Sequence, residues 1–146
     1  MKGVYVLLLE CKRNFETNVG SLGKILFLRG NYAYVGSALN SLERRVERHG
    51  SRFKSFHWHV DHLTLSKHVS LRFAIYAETD FNHECAIGQH ISKVVHASAI
   101  PRFGSSDCKQ HCRSHLFLLH TSMVPAVRMV TKAFQDLNLE LITHKK

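Results

Sequence analysis

The stretch GVYVLLLEC, from Gly3 to Cys11, is an almost unbroken run of apolar residues near the start of the chain. Valine and tyrosine are common in strands, and a short apolar run is typical of a strand that is covered on both faces. The stretch therefore predicts a buried central strand, from which the rest of the domain can be worked out.

Alternating apolar residues and turn residues predict the other strands. Three glycines interrupt the segment after the first strand, which indicates two short strands or a hairpin there. In the later segment YAYVGSA, alternation places Tyr32, Tyr34 and Gly36 on one face. The predicted strands cover residues 15–19, 24–28, 32–38, 69–79, 115–121 and 139–146.

Helical periodicity and capping residues predict four helices. Asn40 or Ser41 caps the first, Asp80 or Asn82 the third, and Ser122 the last. The segment FHWHVDHLTLSK is interpreted as the second helix, although an alternating pattern would make it a strand. The predicted helices cover residues 42–49, 56–67, 83–96 and 123–136, and residues 99–114 are predicted to be a loop. This order of elements predicts a small α/β or α+β layered domain.

The composition is that of one globular domain with a strong positive charge. At 146 residues the chain is long enough to bury a core within a single domain, residues 1–146. Lys and Arg number 20 against 11 Asp and Glu, which gives a net charge of +9 at pH 7. Solubility alone explains such a charge, but the excess favours a polyanionic partner, nucleic acid before an anionic membrane surface.

The cysteines and the N-terminal segment bear on the cellular compartment. The chain has 4 cysteines, which is not the pattern of a disulfide-dense secreted domain. The apolar run at residues 4–9 is too short for a signal peptide and lacks a small-residue cleavage site. No stretch is long enough for a membrane span. We therefore expect a cytoplasmic protein with reduced thiols.

Five positions occur in the order typical of one nuclease superfamily. GVY ends at Tyr5, YVG begins at Tyr34, Arg45 and His49 follow one helical turn apart, and Glu84 stands near the start of a later helix. In these residues the chain resembles the GIY-YIG nuclease superfamily. Over nearly its whole length it is similar to a small, uncharacterised prokaryotic branch of GIY-YIG-like proteins. The resemblance implies a small mixed, largely antiparallel central sheet flanked by helices. It also implies DNA-repair proteins as partners, since members of that branch are sometimes fused to a DNA-repair glycosylase.

The resemblance implies a role for each of these residues, and the chemistry of phosphodiester hydrolysis agrees with it. The reaction needs an attacking water, charge stabilisation on the phosphoryl oxygens and help for the leaving oxygen. Arg45 offers a planar cation for phosphate, and Glu84 offers an oxygen ligand for a single Mg²⁺ or Mn²⁺ ion. A phenol that deprotonates water needs a pKa below its usual value of ~10, so a nearby positive charge has to lower it. The predicted catalytic residues are Tyr5, Tyr34, Arg45 and His49, with Glu84 as the metal ligand.

Further residues are predicted to hold the substrate. Glycine lets the backbone approach a substrate closely, and Arg44 and Arg48 suit a grip on the phosphate backbone. Many members of the superfamily carry Lys where this chain has Ser37, which removes one cation and lowers the expected efficiency. The long spacing between the two motifs implies an inserted strand or loop. The predicted substrate-binding residues are Gly36, Ser37, Arg44, Arg48, His57 and His59.

Taken singly, each of these residues also has an explanation that requires no site. Tyrosines are common in half-buried strands, Arg45 and His49 can form a solvated helix face, and Glu84 favours any helix N-terminus. It is the ordered set of five that favours the nuclease interpretation over these separate explanations.

Two other segments contain residues that bind metals. In DCKQHCRSH, Cys108, Cys112 and either His111 or His115 have a spacing that could hold zinc, but a fourth ligand and the usual finger spacing are missing. Zinc is therefore not expected as the cofactor, and its candidate ligands are Cys108, Cys112 and His115. In FHWHVDH, two histidines share one face with Asp61 if the segment is a strand.

The sequence as a whole predicts a metal-dependent endonuclease that acts on nucleic acid, on DNA more than on RNA, in DNA processing or repair. The alternative is a non-catalytic, basic nucleic-acid-binding module with a degenerate nuclease site. A third hypothesis is a zinc-stabilised interaction domain. All but the third predict salt-dependent binding to nucleic acid, and only the first predicts metal-dependent strand scission.

Overall fold

Strand β1 (Gly3–Cys11) lies at the centre of the domain, as predicted, and nearly all of its side chains are buried. The computed structural model describes residues 2–93, 97–105 and 112–146. Consecutive side chains of β1 alternate between two apolar clusters, one on each face of the sheet. This explains why the run is apolar at almost every position.

A six-stranded sheet is built around β1. Its other strands are β4 (Gly30–Ala38), β5 (Val69–Glu78), β6 (Ala97–Ala99), β7 (Leu116–Leu119) and β8 (Ile142–Lys145). The strand order is β6-β7-β4-β1-β5-β8. All neighbouring strands described in this sheet are antiparallel. Pairing on both edges satisfies the backbone polar groups of β1 away from water.

The predicted insertion between the two tyrosine motifs is a hairpin. Strands β2 (Phe15–Asn18) and β3 (Lys24–Phe27) pair with each other in a separate two-stranded sheet, joined through a 3-10 turn at Gly20–Leu22. Phe27 is fully buried in the core beside Tyr32. The hairpin therefore packs against the central sheet without joining it.

The described residues form four helices, which flank the sheet. Helices α1 (Leu42–Gly50) and α2 (Asp61–Thr64) contribute to the apolar cluster on one face. Helices α3 (Glu84–Ser92) and α4 (Met123–Asp136) contribute to the cluster on the other face. The predicted architecture, an antiparallel central sheet flanked by helices in a small α+β fold, is confirmed.

The helix predicted over residues 56–67 is wrong for most of its length. Only Asp61–Thr64 is α-helical, and the residues before it form a loop. The buried carboxylate of Asp61 accepts hydrogen bonds from the backbone N–H groups of His57 and Trp58. These bonds hold the chain in a turn, so Phe56, expected on the apolar stripe, is 61% exposed.

Smaller corrections concern caps and ends. Ser41 and Ser122 occupy the N-cap positions of α1 and α4, but the described structure gives neither a side-chain capping bond. Asn82 does accept the backbone N–H of Glu84, over 3.0 Å. The predicted third helix ends at Ser92, and residues 94–96 lie outside the described residues. Ala99, the first residue of the predicted loop, is the last residue of the short strand β6, which pairs with β7.

The described residues include no helix that is both long enough and apolar enough to cross a membrane.

Candidate active site

The register of β1 and β4 brings the two motif tyrosines together. Tyr5 pairs with Gly36, and Leu7 pairs with Tyr34, so both phenols lie on the face covered by α1. A Cβ atom on Gly36 would overlap the Tyr5 ring. The glycine of the second motif is therefore required by the ring of the first.

Helix α1 adds His49 to this pair. The Tyr5 hydroxyl lies 2.9 Å from Nε2 of His49, and the His49 ring lies 6.3 Å from that of Tyr34. The ring of Trp58 packs on His49 from the loop before α2, at 5.8 Å. Tyr5, Tyr34 and His49 are buried, and Trp58 is half-buried. Tyr5, Tyr34 and His49 are hereafter called the buried triad.

Burial keeps all members of the buried triad uncharged at neutral pH. Desolvation raises the pKa of both phenols; the positive charge of Arg45 lowers it, but less than burial raises it. Desolvation, with the charge of Lys54 next, lowers the pKa of His49 to about 3. A phenol that deprotonates water needs a lowered pKa. The charge of Arg45 acts in that direction, but the pKa of both phenols stays above its usual value.

Arg45 lies at the edge of the buried triad. Its guanidinium carbon lies 4.5 Å from the centre of the Trp58 ring, a cation–π contact. Its Nη1 donates to the backbone carbonyl of Ser37 over 3.1 Å. The side chain is only partly buried, so its planar cation is held in place while it can still be reached from solvent.

Ser37 joins Arg45 to Glu84. The Ser37 hydroxyl donates to Oε2 of Glu84 over 2.9 Å, while its carbonyl accepts from Arg45. Glu84 is the first residue of α3, and its other oxygen, Oε1, lies 3.1 Å from Nδ1 of His115. The carboxylate is 19% exposed. The sequence predicted Ser37 as a substrate-binding residue where many members of the superfamily carry Lys, and in the structure this residue links Arg45 to Glu84.

Glu84 reaches this edge from the opposite layer. Ser37 alternates with Tyr34 and Gly36, so its side chain lies on the face covered by α3. Strand β7 pairs with β4 as far as Tyr34, and the Val35 N–H donates to the His115 carbonyl just before β7, so Ser37 lies beyond these paired residues. Among the described residues, no hydrogen bond joins Glu84 to either phenol. Its negative charge nevertheless adds to the raised pKa of both phenols.

Sequence reasoning missed a buried ion-pair network beside the triad. Asp61 is fully buried and accepts from both terminal nitrogens of Arg48, over 3.1 and 3.2 Å. Burial alone would raise the pKa of Asp61, but these hydrogen bonds, with those from the backbone, lower it overall. Lys54 donates to the last carbonyls of α1 and to Thr64. The sequence signal for this network was Asp61, the one acidic residue in the segment FHWHVDHLTL.

The predicted substrate-binding residues divide into two groups. Arg48 pairs with Asp61 and its guanidinium carbon lies 4.5 Å from the Trp58 ring centre, so it holds Trp58 in place. His59 accepts the backbone N–H of Gly104 over 3.1 Å, beside the Tyr34 ring. Arg44 and His57, in contrast, are exposed.

The cysteine segment gives a different ligand set from the predicted one. Cys85, Cys112 and His115 have ligand atoms that all lie within 4.8 Å of one another. Cys108 and His111 lie outside the described residues. Cys85, in the first turn of α3, is far from the other two in sequence, and nothing in the sequence paired it with them.

Comparison with known proteins identifies one family. The family model described as "Domain of unknown function DUF123" matches residues 4–139, which is most of the chain. Neither a curated protein nor a solved structure matches the chain significantly.

Proposed function

We propose that this chain, which belongs to the DUF123 family, is a metal-dependent endonuclease that hydrolyses phosphodiester bonds in nucleic acid. DNA is the preferred substrate, in line with the resemblance to GIY-YIG nucleases. The protein acts in the cytoplasm, where its thiols stay reduced. Its role there is DNA processing or repair.

The connection of Arg45 to Glu84 through Ser37 is the observation that carries this proposal. A cation and a carboxylate from opposite layers both contact Ser37 near the end of β4, next to the buried triad. Phosphodiester hydrolysis needs a fixed positive charge for the phosphoryl oxygens and a ligand for a divalent cation at the same place. Both are present, and both side chains are partly exposed.

The residues present fit one hard divalent cation. Oε2 of Glu84 accepts a hydrogen bond from Ser37 and Oε1 lies 3.1 Å from His115, while a carboxylate has about four acceptor sites. Mg²⁺ is commonly held by one or two carboxylates together with waters and substrate phosphate. Glu84, with the Ser37 hydroxyl beside it, would hold the ion. When bound, the ion would supply positive charge to the scissile phosphate and to the leaving oxygen.

The side chains of the protein have distinct tasks in this mechanism. Arg45 binds the phosphoryl oxygens, and Trp58 and the Ser37 carbonyl fix its orientation. Neutral His49 holds the Tyr5 hydroxyl, which would orient the attacking water once substrate binding opens the site. Tyr34 packs against His49 and keeps bulk water from this side of the site.

The loop between α1 and α2 is the surface that we assign to nucleic-acid contact. Phe53 is 97% exposed, and it lines a cleft of 490 Å³ together with Arg44, which is also exposed. Phe56 is also exposed and stacks on His62, with ring centres 4.5 Å apart. Exposed rings among cations are suited to stacking on unpaired bases while the cations contact phosphates.

A second candidate function is the non-catalytic nucleic-acid-binding module. The burial of the triad favours it, since Tyr5 is only 2% exposed and its pKa is raised. A phenol of this kind reaches an attacking water only if substrate binding opens the site. The serine at position 37 removes a cation that many nucleases of the resembling superfamily carry.

A cleavage panel tests the proposal. Single-stranded, duplex, flapped and junction DNA are incubated with the protein and Mg²⁺, Mn²⁺ or a chelator. We expect cleavage of at least one substrate with metal only, and a loss of ~100-fold or more in Arg45→Ala and in Glu84→Ala, because each removes charge stabilisation. DNA binding should persist in Glu84→Ala.

The matched controls are Arg128→Ala and Glu140→Ala, which remove exposed charges elsewhere on the domain. Both should cleave at the wild-type rate. Salt-dependent binding without cleavage of any substrate would show that the protein is the non-catalytic binding module and not a nuclease. Unchanged cleavage in both site variants would overturn the assignment of the site.

A further inference from the structure

Cys85, Cys112 and His115 form a cluster of metal-binding side chains on the α3 side of the sheet. Their ligand atoms all lie within 4.8 Å of one another. Two thiolates bound to one tetrahedral Zn²⁺ are ~3.8 Å apart, given Zn–S bonds of ~2.3 Å. Small side-chain rotations are therefore enough to bring the observed atoms onto a common ion. We propose that these residues bind Zn²⁺.

The surroundings of His115 support a metal ligand. Nδ1 of His115 lies 3.1 Å from Oε1 of Glu84, and the imidazole is buried. A proton on Nδ1 faces the negative carboxylate, which places the lone pair of the ring on Nε2, a form in which histidine binds a metal. A carboxylate that orients a ligating histidine in this way is a common outer contact of zinc sites. Glu84 would then orient this ligand as well as serving the neighbouring site.

The donor atoms select the kind of ion. Thiolate and imidazole ligands favour Zn²⁺ and other soft or borderline ions, whereas Mg²⁺ and Mn²⁺ prefer oxygen. Binding releases the protons of the two thiols. The described residues supply three ligands to an ion that usually takes four, so water or a further ligand would complete the coordination. This site is chemically distinct from the hard-cation site proposed at Glu84.

An ion can reach the cluster from solvent. Cys112 is only partly buried and lines a cavity of 630 Å³ between α3 and the β6–β7 edge, together with Gly88 and Ser114. A Cβ atom on Gly88 would lie 4.0 Å from Cδ2 of His115, so the glycine borders the imidazole without crowding it. The cavity therefore offers an entry path that ends at a ligand.

The position of the cluster indicates a structural role. Cys85 is in the first turn of α3, and the other two residues lie just before β7. An ion shared by the three would fasten this segment to α3 and hold His115 against Glu84. The inference does not depend on the nuclease proposal, since it rests on ligand chemistry and predicts metal content, not activity.

Metal analysis of the purified full chain tests the inference. The protein is stripped with chelator, resupplied with Zn²⁺ and desalted, and we expect about one equivalent of zinc to remain bound. Cys85→Ala, Cys112→Ala and His115→Ala should each lose most of it. Cys11→Ala, which removes a buried thiol of β1 at a distance from the cluster, should keep it.

A second measurement uses only the wild type, so it tests the site even if the variants fail to fold. Co²⁺ added to the stripped wild type should give sulfur-to-cobalt charge-transfer absorption and the intense visible bands of tetrahedral Co²⁺. If the spectrum is instead the weak one of octahedral Co²⁺, the proposed zinc site is wrong. It is also wrong if the wild type retains no zinc, or if folded Cys85→Ala protein retains as much zinc as Cys11→Ala.

Discussion

The phenol oxygen of Tyr5 lies 2.9 Å from Nε2 of His49, and both side chains are buried. The bond connects the central strand β1 to helix α1 across the apolar cluster on that face. Because the pKa of His49 is lowered to about 3, mainly by burial, this is a bond between two neutral groups at pH 7. It is part of the packing of the domain as well as of the proposed site.

Replacing Tyr5 with Phe should therefore lower stability as well as cleavage. The change leaves Nε2 of His49 buried without its hydroxyl partner, which costs ~1–3 kcal/mol. Tyr76→Phe is the matched control, since Tyr76 makes a similar bond to His144, but His144 is exposed and water can replace the hydroxyl. Urea unfolding of the two variants should show the larger loss in Tyr5→Phe; equal losses would contradict this account.

Stability should decrease as the pH falls from about 6.5 towards about 3. Over this range His49 takes up a proton in the unfolded chain but stays neutral in the folded protein, because burial and the charge of Lys54 lower its folded pKa. Between pH ~7 and ~5 the loss from this one group is ~2 kcal/mol. Denaturant titrations at both pH values measure it, and His49→Gln should remove that part of the pH dependence. An unchanged slope in His49→Gln would show that the group titrates normally in the folded state.

Asp61→Asn should destabilise the domain by ~3 kcal/mol or more. Removing one partner of a buried ion pair leaves the Arg48 cation and the nearby Lys54 uncompensated. Asp80→Asn removes an exposed carboxylate and should change little. Thermal unfolding compares the two, and a change in tryptophan fluorescence would report the loosening of Trp58. A stable Asp61→Asn protein would refute the role given to this network.

Gly36→Ala should disturb the site through Tyr5. A Cβ atom at this position overlaps the Tyr5 ring, which is already fully enclosed, so strand or ring must shift at a cost of ~1–3 kcal/mol. In Gly50→Ala the nearest atom to the new Cβ is Cδ2 of Leu71 at 3.7 Å, an ordinary contact. Chemical unfolding should therefore separate the two alanine variants, with little effect at Gly50. Equal stability of both variants would show that the ring moves without cost.

Binding to nucleic acid should weaken steeply with salt. Cations that contact phosphates release counterions, so affinity should fall by orders of magnitude between ~50 mM and ~200 mM salt if several phosphates are contacted. Arg44→Ala should weaken binding to all sequences about equally and reduce the salt slope by ~1. Fluorescence anisotropy with labelled single-stranded DNA measures both, with Arg128→Ala as the control. A slope that stays the same in Arg44→Ala would place the contact surface elsewhere.

Local pattern was enough to predict most of the elements. The apolar run of β1, the alternation in β5 and the helix after Ser122 were all predicted with nearly the right bounds, because burial on a sheet face or helix face leaves a period in the sequence. The segment before α2 failed this test. Its loop is fixed by hydrogen bonds to Asp61, and Asp61 is fixed by Arg48 from another helix.

The sequence by itself determined which side chains with useful chemistry the domain carries and which strands and helices hold them. Only the tertiary structure decided their neighbours: that the Ser37 hydroxyl meets Glu84, and that Cys85 lies beside Cys112 and His115. The physical reason is that periodicity reports the face of an element that is buried, whereas contacts between distant segments depend on register and on the packing of layers. Burial also set the charge state of the tyrosines and His49, which residue types alone do not give.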